Sequence, residues 1–251
     1  MATGFFKHIP NLYYDFNNDG KFFVAKDLFR KVSTWSYLQE GITGYSYYRI
    51  TEGERPDVVA DKLYGDSTLY WLFFLVNENL QDFNDWPKSN QLFLKFMDRK
   101  YPGTCLEASS STDIVSYDHS KPEDEQVASR KFILGEKVSQ SSSVYGFITD
   151  INPTHNRITL NSVIGSFTAD STATGADSGK SFTISSVVSE QNAIHHYTDS
   201  NDFRTTVSTG NTAVSNLSYE RDVNEDKHEI RYIQPQYVQK IVREFKDLVR
   251  G

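Results

Sequence analysis

The sequence predicts an α+β fold, and three observations along the chain indicate it. A strand–helix–helix pattern occupies residues 45–79, and short runs rich in β-branched residues follow between about 132 and 188. The chain then ends in an amphipathic helix that begins near Pro235 and carries an apolar stripe at helical spacing. With 251 residues, the chain is long enough to bury a sizeable core in one or two domains.

The composition excludes several classes of function. The net charge is -7, and an acidic chain without a basic stripe is poorly suited to phosphate backbones, so we expect no nucleic-acid partner. Cys105 is the only cysteine, which rules out an internal disulfide and a cysteine-based zinc site and favours folding in a reducing compartment. Neither a signal-peptide pattern nor an apolar run of ~18 residues is visible, so we expect no membrane partner.

The strand–helix–helix pattern is the most informative part of the sequence. Residues 45–50 alternate as a strand does, and Pro56 suits the first turn of the helix that follows. Gly65 stands where a helix C-cap needs a left-handed residue, and Asp66 or Ser67 can cap a second apolar helix. This second helix ends in Asn-Glu-Asn.

A strand, a helix ending in Tyr-Gly and a helix ending in Asn-x-Asn resemble a LysM module over residues 45–79. A closing strand is then expected, and Leu92 to Met97 is the nearest candidate, although its charged tail fits a helix equally well. LysM modules imply binding to N-acetylglucosamine polymers, commonly through tandem copies. This copy is single and lies between aromatic segments at 35–38 and 83–87.

The flanking sequence carries a second and more specific resemblance. The runs FFKHIPNLYYDF, YYRITEGERPDVVADKLYGDSTLYWLFFLVNEN and DWPKSNQLFLKFMDRKYPG resemble the LysM-containing baseplate wedge proteins of T-even-like contractile-tailed phages. The later runs HHYTD and SYERDVNEDKHEIRYIQPQYVQKIVREFKDLV are similar to the C-terminal part of longer family members. The middle of the chain resembles this family only in its general style.

This resemblance implies a structural virion protein of the tail baseplate, assembled in the host cytoplasm, with no catalytic activity and no cofactor. Its implied partners are other wedge proteins and neighbouring wedge copies, and its role is to help six wedges close into a ring around the hub. The alternative is a LysM-type peptidoglycan-binding module of a tail-associated lytic protein. A vestigial affinity for peptidoglycan is compatible with the structural role.

The sequence divides into five predicted segments. Turn residues separate the β-rich runs of the middle part, which is typical of a small antiparallel barrel. The segments are an N-terminal arm (1–44), a LysM-like domain with a helical extension (45–105), a linker (106–131), a β-barrel-like insert (132–190) and a C-terminal segment ending in a docking helix (191–251).

Aromatic residues are concentrated in the N-terminal part, where residues 1–102 hold 23 of the 35 Phe, Trp and Tyr residues. This excess fits either a dense small core or anchors for partner subunits, because aromatic residues are enriched at the centres of protein interfaces. The residues that we assign to a partner interface are Trp35, Tyr37, Tyr45, Tyr64, Trp71, Phe83, Trp86, Pro87, Tyr237, Ile241, Phe245 and Leu248.

No motif in the sequence indicates a catalytic, cofactor-binding or metal site. Nucleophile elbows, phosphate-binding loops and paired histidine ligands at helical spacing are absent. His195 and His196 are adjacent, but neighbouring side chains in an extended segment are expected to point in opposite directions. The segment 15–20 has the oxygen-rich character of a calcium loop but lacks the bidentate glutamate, so we expect a turn there.

Overall fold

The computed structural model describes residues 9–27, 44–117, 128–206 and 210–250. Mixed helices and strands confirm the predicted α+β class. The chain divides into two compact units, of which the first combines residues 1–90 with 223–251 and the second comprises residues 91–222. The second unit is therefore an insertion in the sequence of the first.

The strands in chain order are β1 (Asn11–Tyr14), β2 (Phe23–Lys26), β3 (Tyr45–Arg49), β4 (Thr104–Ala108), β5 (Val115–Tyr117), β6 (Ala128–Arg130), β7 (Lys137–Ser141), β8 (Val144–Asn152), β9 (Arg157–Ile164), β10 (Thr172–Gly175), β11 (Ser181–Ser189), β12 (Ile194–Thr198), β13 (Arg204–Thr205), β14 (Thr212–Ser215) and β15 (Glu229–Ile233). The helices are α1 (Pro56–Tyr64), α2 (Trp71–Val76), α3 (Asn90–Lys100), α4 (Ser111–Ile114), α5 (Asn216–Asp226) and α6 (Pro235–Arg250). Short 3₁₀ turns lie at Ser67–Leu69 and Pro153–His155.

The centre of the first unit is a two-stranded antiparallel sheet formed by β3 and β15. Five residue pairs run in unbroken register from Tyr45 opposite Ile233 to Arg49 opposite Glu229. Ile230 is fully buried in one cluster with residues of α1 and α2, while Ile233 is buried in another with residues of α2 and α6. Although almost 180 residues of sequence separate the two strands, α1, α2 and α6 all pack on the sheet that they form.

Asn77 fastens the end of α2 to β15. Its side-chain amide donates to the carbonyl of Arg231 at 2.9 Å, and its side-chain oxygen accepts from the Arg231 N–H at 2.8 Å. The same amide donates to the Phe73 carbonyl at 2.8 Å. Asn77 is buried, so it satisfies backbone groups of β15 that would otherwise be costly to leave unpaired.

A second set of stabilising contacts lies in the turn between β3 and α1. The Glu54 carboxylate accepts from the Tyr48 hydroxyl at 2.9 Å and from the Thr51 N–H at 2.9 Å, and it pairs with Lys62 of α1. The Glu54 carbonyl accepts from the Trp86 indole N–H at 2.7 Å. This turn therefore joins the sheet, α1 and the loop that follows α2.

The chain leaves and re-enters the first unit at neighbouring points. The Asn224 side chain accepts from the Lys88 N–H at 2.8 Å and donates to the Lys88 carbonyl at 3.1 Å. Lys227 donates to the Asp85 carboxylate at 3.0 Å beside this pair. These hydrogen bonds hold together the two segments of the first unit between which the second unit is inserted.

The second unit contains a closed antiparallel barrel with the strand order β10-β11-β4-β9-β8-β7. Its core combines alternating apolar residues of the six strands with residues of α4 and the connecting loops. The fully buried members include Leu106, Ile114, Val138, Ile158, Leu160, Ala173 and Ile184. A second sheet of this unit has the order β13-β12-β14.

A buried glutamate secures one end of the barrel. The Glu136 carboxylate accepts the N–H groups of Ile133 at 2.7 Å, Ser178 at 2.9 Å and Asp177 at 3.1 Å. Burial raises the pKa of Glu136, but these hydrogen bonds outweigh burial and hold it below its ordinary value. A Cβ at Gly175 would lie 2.6 Å from this carboxylate, so the turn needs glycine there.

The structure corrects two of the predicted boundaries. The barrel does not begin near 132, because β4 pairs with both β9 and β11 and the ring cannot close without it. The segment 106–131, predicted as a linker, accordingly contains the end of β4 together with α4, β5 and β6. The segment 191–251 is divided between the two units at residue 222.

The closing strand proposed at Leu92 to Met97 is also wrong, because these residues belong to α3. Phe93 and Met97 are buried and Phe96 is half-buried, whereas Lys95 is exposed, and this pattern is that of a helix and not of a strand. The strand that pairs with β3 is β15, beyond the insertion.

We expect Glu54 to make the free energy of unfolding depend on pH. Burial raises the Glu54 pKa, but the hydrogen bonds from Lys62, Thr51 and Tyr48 prevail and lower it from 4.5 to about 2. A depressed pKa contributes stability above pH 4.5 that is lost as the pH falls toward 2. Urea unfolding of Glu54→Gln between these values should therefore show a shallower loss of stability than the wild-type chain.

A second variant separates the ion pair from the rest of the turn. Lys62→Met keeps the carboxylate but removes the hydrogen-bond donor that lowers its pKa most, so the acid-induced loss of stability should be smaller than in the wild-type chain and complete at a higher pH. Identical pH profiles for the three proteins would contradict the assignment of this carboxylate as a stabilising anion.

Candidate interaction surfaces

The structure places five of the twelve predicted interface residues within the core of the first unit. Trp35 and Tyr37 lie outside the described residues. The side chains that are buried within the chain are Trp71, Trp86, Pro87, Ile241 and Phe245. For these five, the structure favours the dense-core alternative, because a buried side chain offers no surface to a partner.

Trp86 shows why this aromatic density belongs to the core. Its indole ring lies 6.0 Å from the rings of Phe73 and Phe74, measured between centroids. Its N–H donates to the Glu54 carbonyl, so its one polar group is also satisfied. The side chain is 7% exposed.

The C-terminal helix α6 docks on its own chain. Its apolar stripe includes Val238, Ile241 and Phe245, and it packs on α2 through Trp71, whose ring lies 4.6 Å from that of Phe245. The sequence indicated that this stripe needs a docking surface, and the first unit supplies one. The basic residues Lys240, Arg243 and Lys246 lie on other positions of the same helix.

The remaining predicted interface residues are only partly covered. Tyr45 and Tyr64 are half-buried, and the Tyr64 hydroxyl accepts from the Ile233 N–H at 3.2 Å. Phe83, Tyr237 and Leu248 are exposed. Phe83 nevertheless lies 5.2 Å from Tyr70 between ring centroids. A partner contact by these five residues stays a prediction.

Sequence reasoning missed a group of exposed aromatic residues that lie close together in the described part of the chain. It lies on the hairpin formed by β1 and β2, residues 11–26, which pairs with no third strand in the described part of the chain. Six apolar side chains here are between 56% and 77% exposed, namely Tyr13, Tyr14, Phe16, Phe22, Phe23 and Val24. No hairpin residue belongs to any of the buried apolar clusters found among the described residues.

A signal for this surface is present in the sequence. The runs LYYDF and KFFVA flank Asn17-Asn18-Asp19-Gly20, which is a strong hairpin signal between two apolar runs. Neither run alternates between apolar and polar residues, so neither face of the hairpin is reserved for solvent. The predicted turn at 15–20 is confirmed, since the Asp15 carboxylate accepts the N–H groups of Asp19 and Gly20 at 3.1 and 2.8 Å.

The two adjacent histidines behave differently from the sequence expectation. A register shift in the pairing of β12 with β14, between Ile194 and His196, brings both rings to one side, with their Nδ1 atoms 2.8 Å apart. The His195 ring also stacks on Tyr219 at 3.9 Å between centroids. Burial, followed by the charges of His196 and Arg204, lowers the His195 pKa.

The described residues contain no group of three or more His, Cys, Asp or Glu side chains arranged to hold a metal ion. Cys105 is buried in the second unit, and burial raises the pKa of its thiol. Among the helices described, none is long and apolar enough to cross a membrane.

Comparison with known proteins identifies relatives of the N-terminal part. Residues 1–103 match the family model described as base plate wedge protein 53. Over 103 residues the chain is 26% identical to the baseplate wedge protein gp53 of Enterobacteria phage T4, an alignment that covers 40% of this chain and 52% of that protein. The chain therefore spans about half the length of the curated relative that it matches. The predicted resemblance to the wedge family is confirmed over this region.

A pair of aromatic substitutions separates core from surface in the first unit. Trp86→Ala should lower the free energy of unfolding by ~3 to 5 kcal/mol, because it removes a large buried ring. Phe83→Ala should lower it by about 1 kcal/mol or less, since most of this ring is exposed. Urea denaturation followed by tryptophan fluorescence and circular dichroism measures both, and equal costs would contradict the assignment.

Proposed function

We propose that this chain, whose residues 1–103 match the family model of base plate wedge protein 53, is a structural wedge subunit of a contractile phage tail baseplate. The family match is the observation that carries this proposal, and the named relative from phage T4 supports it. The protein is then assembled in the host cytoplasm and resides in the virion, where its role is to connect other proteins rather than to catalyse a reaction.

The architecture of the first unit supports a role in assembly. Its core is occupied by its own aromatic residues, and most of its exposed aromatic residues in the described part of the chain lie on a short hairpin, with Tyr47, Phe83 and Tyr237 exposed elsewhere. Aromatic side chains on a protein surface are typical of interface centres. We propose other wedge proteins and neighbouring wedge copies as the partners, in a six-fold ring around the tail hub.

We also propose that the first unit is a LysM-like fold with a displaced closing strand. The order β3, α1, α2 and then a strand antiparallel to β3 corresponds to a βααβ unit, except that β15 follows an insertion. Asn77, in the Asn-Glu-Asn sequence at the end of α2, is the residue that holds this strand. The resemblance in sequence and the arrangement of these elements support the assignment together.

A peptidoglycan-binding module of a lytic protein is the alternative from the sequence, and no comparison supports it. A pull-down of the purified chain on peptidoglycan separates the two functions. The structural role predicts no saturable binding beyond a vestigial level, whereas tight binding lost on substitution of exposed residues near α1 and α2 would favour the alternative.

We expect the chain to occupy the baseplate of purified tails in multiple copies related by six-fold symmetry. Cryo-electron microscopy of tails, with mass spectrometry to quantify the chain against the sheath protein, measures its position and its copy number. A single copy, or absence of the chain from purified tails, would contradict the proposed function.

A further inference from the structure

We infer that the β1–β2 hairpin is an insertion arm that a second baseplate protein holds in an apolar cleft, with contacts on both faces. This inference rests on the proposed function, because it names the kind of contact that joins this subunit to its neighbour. It concerns residues 11–26, none of which is among the interface residues expected from the sequence.

Strand pairing and contacts at the root and the tip order the backbone of the hairpin. Four residue pairs run from Asn11 opposite Lys26 to Tyr14 opposite Phe23, without a register shift. At the root of the hairpin, the Lys26 ammonium donates to the Ile9 carbonyl at 2.8 Å, and at the tip the Asp15 carboxylate holds the turn. A preorganised arm avoids much of the entropic cost of ordering a segment on binding.

The apolar residues lie on both faces of this arm. Tyr13 and Val24 stand opposite each other on one face, and Tyr14 and Phe23 stand opposite each other on the other. All four side chains are exposed. A hairpin that rested on the surface of a single body would need only one apolar face, so the two-sided pattern indicates a cleft.

The exposed area is large enough to anchor a stable complex. An aromatic side chain can bury 150 to 250 Å², and the five aromatic residues and Val24 are 56% to 77% exposed, so together they offer roughly 500 to 900 Å². A standard protein interface uses about 800 Å² on each partner. An isolated two-stranded hairpin is also only marginally stable in water, so cover on both faces would stabilise the arm itself.

The chemistry of the arm specifies an apolar protein partner. Residues 11–14 and 22–25 contain no charged side chain, and the charged residues Asp15, Asp19, Lys21 and Lys26 lie at the tip or the root. Depletion of charge is characteristic of the centre of a protein interface. Phosphate-bearing partners, including nucleic acids and anionic lipid headgroups, would require clustered basic residues that the strands lack.

A two-fold symmetric dimer of this chain fits the arm less well than a cleft does. A two-fold dimer buries one self-complementary patch on each subunit, which would cover one face of the hairpin and leave the other in water. Residues of both faces are comparably exposed, and both faces carry an aromatic residue. We therefore assign the cleft to a different protein of the baseplate.

The test uses the full chain supplied in trans to a phage that lacks its own copy. One double variant, Tyr13→Ser with Val24→Ser, removes the apolar residues of the first face, and another, Tyr14→Ser with Phe23→Ser, removes those of the second. Each should reduce incorporation of the chain into purified tails by about tenfold or more, as expected for anchor residues. Each should also unfold at the wild-type temperature, because the altered side chains lie outside the buried core.

Phe203→Ser, which changes an exposed aromatic residue of the second unit, serves as the matched control and should assemble normally.

Photo-crosslinking identifies the occupant of each face. Benzoylphenylalanine at Tyr13 or at Tyr14 should crosslink, within assembled tails, to a baseplate protein other than this chain. Crosslinks only to a second copy, or loss of assembly for one face alone, would overturn the inference. Binding of the purified chain to vesicles of phosphatidylethanolamine and phosphatidylglycerol through these residues would overturn it as well.

The failure of this inference can be distinguished from a failure of the proposed function. If both double variants enter tails at the wild-type level, the arm is not an anchor, while the presence of the chain in the baseplate still supports the wedge role. If the wild-type chain is itself missing from tails, the proposed function fails.

Discussion

The first unit depends on the pairing of β3 with β15, and Asn77 secures that pairing. A two-stranded sheet is weak by itself, and the helices above it supply the apolar cover that stabilises it. Asn77 connects these two parts, because its side chain forms two hydrogen bonds with the Arg231 backbone on the edge of β15 that pairs with no other strand in the described residues. Without this contact, the part-buried N–H and carbonyl groups of Arg231 would lose their partners.

This arrangement explains why the family match and the folded unit do not coincide. The match ends at residue 103, although the unit needs β15 and α6 from beyond residue 222. Ile230 and Ile233 occupy the two apolar clusters of the unit, and Phe245 packs on Trp71. The second unit, which contains the barrel, is thus an insertion into the first. The Lys88–Asn224 hydrogen bonds join the two segments of the first unit on either side of this insertion.

Local patterns predicted the local elements of this fold and left the distant pairings open. Pro56 begins α1, and Gly65 ends it with a positive φ of 70°, as their positions in the sequence indicated. Neither the entry of β4 into the barrel nor the pairing of β15 with β3 could be inferred, because strand partners distant in sequence leave no mark in local periodicity. The convergence of His195 and His196 depends on a register shift, which alternation alone does not reveal.

Which aromatic residues are exposed was the feature of the structure hardest to predict from the sequence. An aromatic residue at a given position fits a core as well as an anchor, and only burial separates Trp86 from Tyr13. The hairpin strands indicate an interface because they lack the alternation that a half-exposed sheet needs. That distinction follows from the structure, in which the pairing assigns each residue to a face.

Excision of the second unit tests the account most directly. Residues 91–222 would be replaced by a short glycine–serine linker, and hydrogen exchange would be measured across residues 45–49 and 229–233. If these strands belong to one domain, the shortened protein unfolds in a single cooperative transition, and the amides of both strands are protected together. Loss of protection in both strands, in an otherwise soluble product, would contradict the claim that the two ends of the chain form one unit.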